Sequence, residues 1–305
     1  MSEIVSLVKS SNDLVSSLKK GFDLIEGIGA KDLPVIIKPN LCVEKDLLGH
    51  ANTNVKIVKA LIDTLIEENP YLVVKIVESD SSGKWLDKAF RNNGYDELIE
   101  KYQDIGCDIE LINLSKEECI TLEMKSKPFL NLQIPKILLG RHFYISVARA
   151  KIHELTDITG ILKNQFGCLS RKDKSVYHRY IDSIILEVNR WIKPDLCLVD
   201  AITGMEGVTK GRIVHIGVFI CGKDPVAVDS TLSRVMGLDP YNIQHIISAN
   251  KYGLGSINPK IVGCSINDVS VKLRRPNTIV KLMNRYIPEI IRPVASGVYQ
   301  KINHH

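Results

Sequence analysis

The chain has 305 residues, 45% apolar and 25% charged, with a formal net charge of +5, which suits one large globular domain or two small ones and excludes a disordered or low-complexity polypeptide. Seven cysteines, an odd number, are scattered with no C-x-x-C pair, a pattern that fits reduced thiols in a cytoplasm better than a disulfide framework and argues against a zinc ribbon or a cysteine-held iron–sulfur cluster. The first twenty residues carry no secretory pattern, and no run approaches the ~18 apolar residues a membrane-spanning helix needs.

Apolar runs alternate with helical periodicity from the start, which predicts an α/β fold with a mostly parallel or mixed sheet flanked by helices. A strand over 4–8 leads to a helix over 12–25 capped by Asn12, and a strand over 34–37 runs into Lys38-Pro39-Asn40-Leu41. Ligands of open α/β sheets bind beyond the carboxyl ends of strands, so Lys38 and Asn40 are candidate substrate-binding residues there. His50, Asn52 and Thr53 follow, then a helix over 54–68 whose cap is Asn54. A strand over 72–78 ends in Glu78-Ser79-Asp80-Ser81-Ser82-Gly83, which reads either as a cation or sugar contact or as a plain polar turn before the helix over 84–92.

Another helix over 95–102 and a strand over 108–113 come next. Residues 120–139, interrupted by Pro128 and Pro135, read as an irregular insertion or crossover. After a strand over 142–148 lies the densest polar stretch, with Lys151, His153, Thr156, Asp157, Thr159, Lys163, Asn164 and Gln165. Lys151 and Lys163 can hold phosphate or carboxylate as point charges, and Asn164 and Thr159 offer hydrogen bonds to a substrate. His153 is an acid–base or metal-ligand candidate, although a lone histidine is more often simply hydrogen-bonded.

A helix over 178–191 and a strand over 195–199 bring Asp200, then Met205-Glu206-Gly207. Asp200 and Glu206 are candidates for a divalent cation or for proton transfer. The continuation Val208-Thr209-Lys210-Gly211-Arg212 has the composition of a phosphate-cradling loop but not the G-x-x-x-x-G-K-[ST] order. A strand over 214–221 follows, then helices over 225–236 and 241–251; Asp224 reads as the cap of the first, while Asp229 stays open.

The last segment differs from the rest. Residues 272–303 hold seven Lys or Arg against the single acid Glu289, so they carry +6 and leave the remaining chain at −1. The basic character belongs to a tail, and a nucleic-acid surface is not expected. Apolar residues interleave with these cations, and Pro288 and Pro293 predict short helices rather than one long one. Such a basic amphipathic helical tail can pack on its own domain, form a homodimer contact, or lie on an anionic membrane surface. The chain thus divides into an α/β domain over 1–271 and a tail over 272–305.

Lys38-Pro39-Asn40-Leu41, Lys151-Ile152-His153, Gly160-Ile161-Leu162-Lys163-Asn164, Val199-Asp200-Ala201, Met205-Glu206-Gly207, Asp224-Pro225-Val226-Ala227-Val228-Asp229 and Met236-Gly237-Leu238 occur in this order. That ordered set resembles the domain of unknown function 362 family. The resemblance implies site roles for Lys151, His153, Lys163 and Asn164, but no reaction. Many members carry a ferredoxin-like module with clustered cysteines; this chain has none, so no iron–sulfur cluster is expected from it. The expectation is an enzyme acting on an anionic small molecule bearing phosphate or carboxylate, with His153, Lys163 and Lys151 as catalytic candidates and a divalent cation as the cofactor to look for. The alternative is a non-catalytic protein binding an anion or metal in the same place, tethered by its tail to a partner or membrane. Its location is expected to be cytoplasmic, or peripheral at a membrane if the tail meets lipid.

Overall fold

The structure, a computed structural model, describes residues 3–82, 84–124, 128 and 130–286. Its first half alternates β1 (Ile4–Lys9), α1 (Leu14–Asp23), β2 (Val35–Pro39), α2 (Val55–Glu68), β3 (Val74–Glu78), α3 (Leu86–Asn92), α4 (Tyr95–Gln103) and β4 (Ile109–Asn113). A hairpin of β5 (Cys119–Glu123) and β6 (Asn131–Pro135) precedes β7 (Phe143–His153), β8 (Asp157–Thr159) and the short α5 (Ile161–Asn164). Then come α6 (Ile181–Trp191), β9 (Leu196–Met205), β10 (Ile213–Gly222), α7 (Pro225–Val235), α8 (Gln244–Lys251), β11 (Lys260–Gly263), α9 (Ile266–Val269) and α10 (Thr278–Tyr286).

The main sheet runs β11-β1-β10-β9-β7-β2-β3-β4, with β8 alongside β7. The β9-β7-β2-β3-β4 half is parallel, whereas β10 is antiparallel to both β9 and β1. Chain order reverses beside β2: the chain moves outward to β3 and β4, then returns to place β7 on the other side. Such reversals open a crevice at the carboxyl ends of the strands.

Alternation along each strand splits the core into two layers. Val35, Ile37, Ile145 and Val147 face α1, α2 and α4 through Leu18, Phe22, Leu61 and Leu98. Ile36, Tyr144 and Ala148 face the opposite layer, which holds Ile184, Leu232 and Ile246 of α6, α7 and α8. A sheet covered on both faces explains the near-continuous apolar runs of its inner strands.

Several boundaries differ from the sequence expectation for physical reasons. Asp13, not Asn12, caps α1, accepting from the Ser16 N–H at 3.0 Å. Asn54 and Asp224 cap α2 and α7 as expected. β7 and β9 run on through charged residues because Arg149 and Asp200, partners in register, form a buried ion pair across the two strands. The segment 120–139 contains the paired hairpin β5–β6 and a 3-10 turn rather than irregular chain. Val208 to Lys210 belong to the tight turn between β9 and β10, where a Cβ on Gly207 would lie 2.0 Å from the Lys210 carbonyl oxygen.

Residues 272–286 lie on the α/β body. The Arg274 N–H donates to Glu206 at 2.8 Å, Arg275 and Lys281 both pair with Asp157, and Arg285 pairs with Asp182. The expected tail beyond Tyr286, residues 287–305, lies outside the described residues.

Candidate functional site

The carboxyl ends of β2 and β3 meet the α5 region around a cavity of about 270 Å³. That volume is just under the roughly 300 Å³ at which ordinary small-molecule sites begin, so an enclosed ligand must be small. The lining includes Asn40, Glu78, Asp80, Lys84, Lys163, Asn164, Lys172, Lys174 and His178. Four lysines face two carboxylates, and one of those carboxylates is already neutralised.

That carboxylate is Glu78. Lys38 Nζ lies 2.6 Å from its Oε2, and both side chains are buried. Burial pushes the Glu78 carboxyl up, but the Lys38 and Lys84 charges and the Lys38 and Ser79 hydrogen bonds outweigh it and hold the group below the usual carboxylate range. Gly167 makes room for the pair: a Cβ there would come within 2.6 Å of Glu78 Oε1 and 2.7 Å of Lys38 Nζ. A glycine is required by this close approach rather than by any unusual backbone angle.

Asn164 organises the floor. Its Oδ1 accepts from Lys38 and Asn40, both at 3.3 Å, while its Nδ2 donates to Ser146 Oγ at 3.0 Å and the Lys38 carbonyl at 3.3 Å. All four of its hydrogen-bonding directions are in use, so it positions its neighbours. Asn40 in turn accepts from Lys151 at 2.9 Å. Lys151 is fully buried, and it also donates to the carbonyls of Ala51 at 2.7 Å and Val208 at 3.2 Å. Its three N–H groups therefore have three oxygen acceptors within the protein.

The lysines on the far wall differ from these. Lys174 donates to Ser79 Oγ at 2.9 Å and the Asp80 carbonyl at 2.6 Å. Burial lowers its ammonium to about 7, with Lys84 and Lys38 adding to the shift against the opposing Glu78 charge. Lys84 donates to the Leu41 carbonyl at 2.7 Å and is also lowered, chiefly by burial. Lys163 is half-buried, with Nζ 4.5 Å from the centre of the Phe166 ring, and finds no hydrogen-bond acceptor or carboxylate among the described residues. Burial, then the Lys151 and Lys38 charges, bring it to about 8.

The other sequence candidates lie elsewhere. His153 is buried at the end of β7, off the cavity lining, and its Nδ1 accepts from the Leu155 N–H at 3.1 Å. Burial first, then the Lys163 and Lys151 charges, keep it neutral well below the ordinary histidine range. Thr159 pairs with Lys151 in the β7–β8 register, and its buried Oγ1 meets no hydrogen-bond partner among the described residues. Asp200 is held by Arg149, and Glu206 by Arg212 and the Arg274 N–H. The Arg212 hydrogen bond leads in lowering Glu206 to about 2. Asp229 caps α5 through the N–H groups of Ile161 and Leu162, at 2.6 and 2.9 Å, and burial pushes it up to about 7. Among the described residues, no three His, Cys, Asp or Glu side chains gather as a metal-binding group.

Sequence reasoning singled out Lys38, Asn40, Lys163 and Asn164, which the fold brings together. It did not single out Lys84, Lys172, Lys174 or His178 as site residues. The run Arg171-Lys172-Asp173-Lys174 was the available signal, but such a run ordinarily marks a solvated loop.

Fold and site define an α/β protein with a lysine-rich cavity at the carboxyl ends of parallel strands. The chain belongs to the family described as domain of unknown function DUF362, whose model matches residues 35–234 and spans the whole cavity. A thylakoid-associated protein of Synechocystis sp. is 25% identical over 316 residues, covering 98% of this chain and 92% of that one. Among solved structures, the lactate racemase apoprotein of Thermoanaerobacterium thermosaccharolyticum is similar at 13% identity and a TM-score of 0.42, covering 77% of this chain and 57% of that one. A protein from Thermotoga maritima matches at 13% identity and a TM-score of 0.40, covering 73% of this chain and 59% of that one. This chain thus spans less than two thirds of either structure, and neither likeness bears on chemistry.

Proposed function

We propose that the cavity binds a small phosphate- or carboxylate-bearing metabolite and that Lys163 exchanges a proton with it. The observation that carries this reading is Lys163 itself: an ammonium on the cavity wall, without an acceptor among the described residues, with a pKa of about 8. A lysine in that range is partly neutral at physiological pH, so it can accept a proton as well as donate one. Lys174 and Lys84, fixed by carbonyl and hydroxyl oxygens, would hold the anionic group. Lys38, Asn40 and Asn164 would keep the floor in shape.

A metabolite panel followed by NMR tests this, first for binding and then for conversion or solvent-hydrogen exchange. Lys163→Met should lower turnover by ~10²- to 10⁴-fold, the usual range for a general acid–base group, with the melting temperature little changed. If bound metabolites show neither conversion nor exchange, and Lys163→Met alters affinity alone, the protein is a binder and the catalytic reading fails.

A second reading concerns place rather than chemistry. The Synechocystis relative is named thylakoid-associated, which supports a peripheral membrane location here too. Among the described residues no helix is long and apolar enough to cross a membrane. Peripheral attachment predicts that the full chain pellets with membranes from lysed cells and washes off at high salt; recovery in the supernatant at low salt would refute it.

A further inference from the structure

We infer that the outward face of α10 is a docking surface for an anionic lipid bilayer. In a helix of 3.6 residues per turn, Ile279, Leu282 and Tyr286 fall on a single stripe, and they are 49%, 51% and 58% exposed. Lys281 and Arg285 fall together on one flank of that stripe, where they pair with Asp157 and Asp182 of the body. A surface helix ordinarily turns its apolar stripe inward and its charges to water. Here the charges are turned in and the stripe is turned out, so a partner with an apolar interior is needed to cover it.

Charge decides which partner. Lys272 and Arg274, just before the helix, are exposed, and residues 272–286 hold five Lys or Arg and no acid. A second copy of the chain would bring one strongly basic segment against another. An anionic bilayer instead offers negative headgroups to these cations and acyl chains to the stripe, the arrangement of an interfacial helix. The ion pairs to Asp157 and Asp182 fix the helix to the body, so that contact also orients the protein on the membrane. α10 lies outside the family-matched residues 35–234.

The inference rests on the peripheral location read above and gives it a surface. Co-sedimentation of the full chain with phosphatidylcholine vesicles, and with vesicles containing about one third phosphatidylglycerol, tests it. The wild type should bind the anionic vesicles and not the neutral ones. Leu282→Asp and, separately, Ile279→Asp should each lower the bound fraction by about tenfold with an unchanged melting temperature, and Tyr71→Asp, remote from α10, should bind as the wild type does. No wild-type binding to either vesicle would sink both the location and the surface. Binding that survives both stripe substitutions would sink the α10 face alone. A dimer in sedimentation equilibrium that dissociates in Leu282→Asp would assign the stripe to a second copy and overturn the lipid proposal.

Discussion

Replacing Lys38 with methionine should destabilise the fold by about 3–5 kcal/mol, the cost of leaving a buried charge without its partner. Glu78 would keep Lys84, 3.9 Å away, the N–H groups of Ser79 and Leu41 at 2.8 and 3.5 Å, and the Ser79 hydroxyl at 3.5 Å. The carboxylate would then pay for desolvation without the nearest charge that now offsets it. Asn164 Oδ1 would also lose its 3.3 Å contact with Lys38, loosening the cavity floor. Denaturant unfolding should show a lower midpoint at pH 7, with part of the loss recovered on acidification as Glu78 protonates. The double change Lys38→Met with Glu78→Gln should be markedly less harmful than Lys38→Met alone, because removing both charges leaves none unpaired. A single-variant cost under about 1 kcal/mol would mean that water reaches the pair and that it is not the buried anchor described here.

How much of this was legible in the sequence varies by residue. The layered α/β order was readable because strands and helices follow different apolar periods, and Lys38 and Asn40 were readable because they terminate an apolar strand. The polar group after residue 148 is plain in the sequence, but its setting is not. Lys151 and His153 belong to β7 itself, since the Arg149–Asp200 ion pair lets the strands continue through residues that ordinarily end one. Pairing between residues 51 apart leaves no local mark. Lys174 was hidden for the same reason, because only its approach to Ser79 and Asp80 makes it a buried cation rather than a loop charge. In β5–β6 the alternation was present, as in buried Leu132 and Ile134 alternating with exposed Asn131 and Gln133, but Pro128 and Pro135 obscured it. The candidate acids Asp200 and Glu206 illustrate the converse: their residue type suggested a cation, and the fold gives each an arginine.

Anion affinity should fall steeply as pH rises through the range in which the wall lysines lose their protons. Lys163 and Lys174 sit at about 8 and about 7 in the free protein, and a bound anion favours the charged form of each. Affinity is therefore full below about pH 6. Above each free pKa it drops ~tenfold per pH unit per lysine, so between about pH 6 and 9 the loss is on the order of 1000-fold. Sulfate is a suitable probe because its own charge is constant over this range. Calorimetric titration at several pH values gives the curve, and Lys174→Arg, which keeps its charge, should remove the earlier of the two declines. Stability should respond in the opposite sense. Because these lysines titrate lower in the folded chain than in the unfolded one, the folded state binds fewer protons between roughly pH 7 and 10, and their contribution to stability rises with pH across that window. Sulfate affinity that stays level from pH 6 to 9 would show that the wall lysines remain charged throughout, removing the basis for proton exchange at Lys163 while leaving a simple anion-binding cavity.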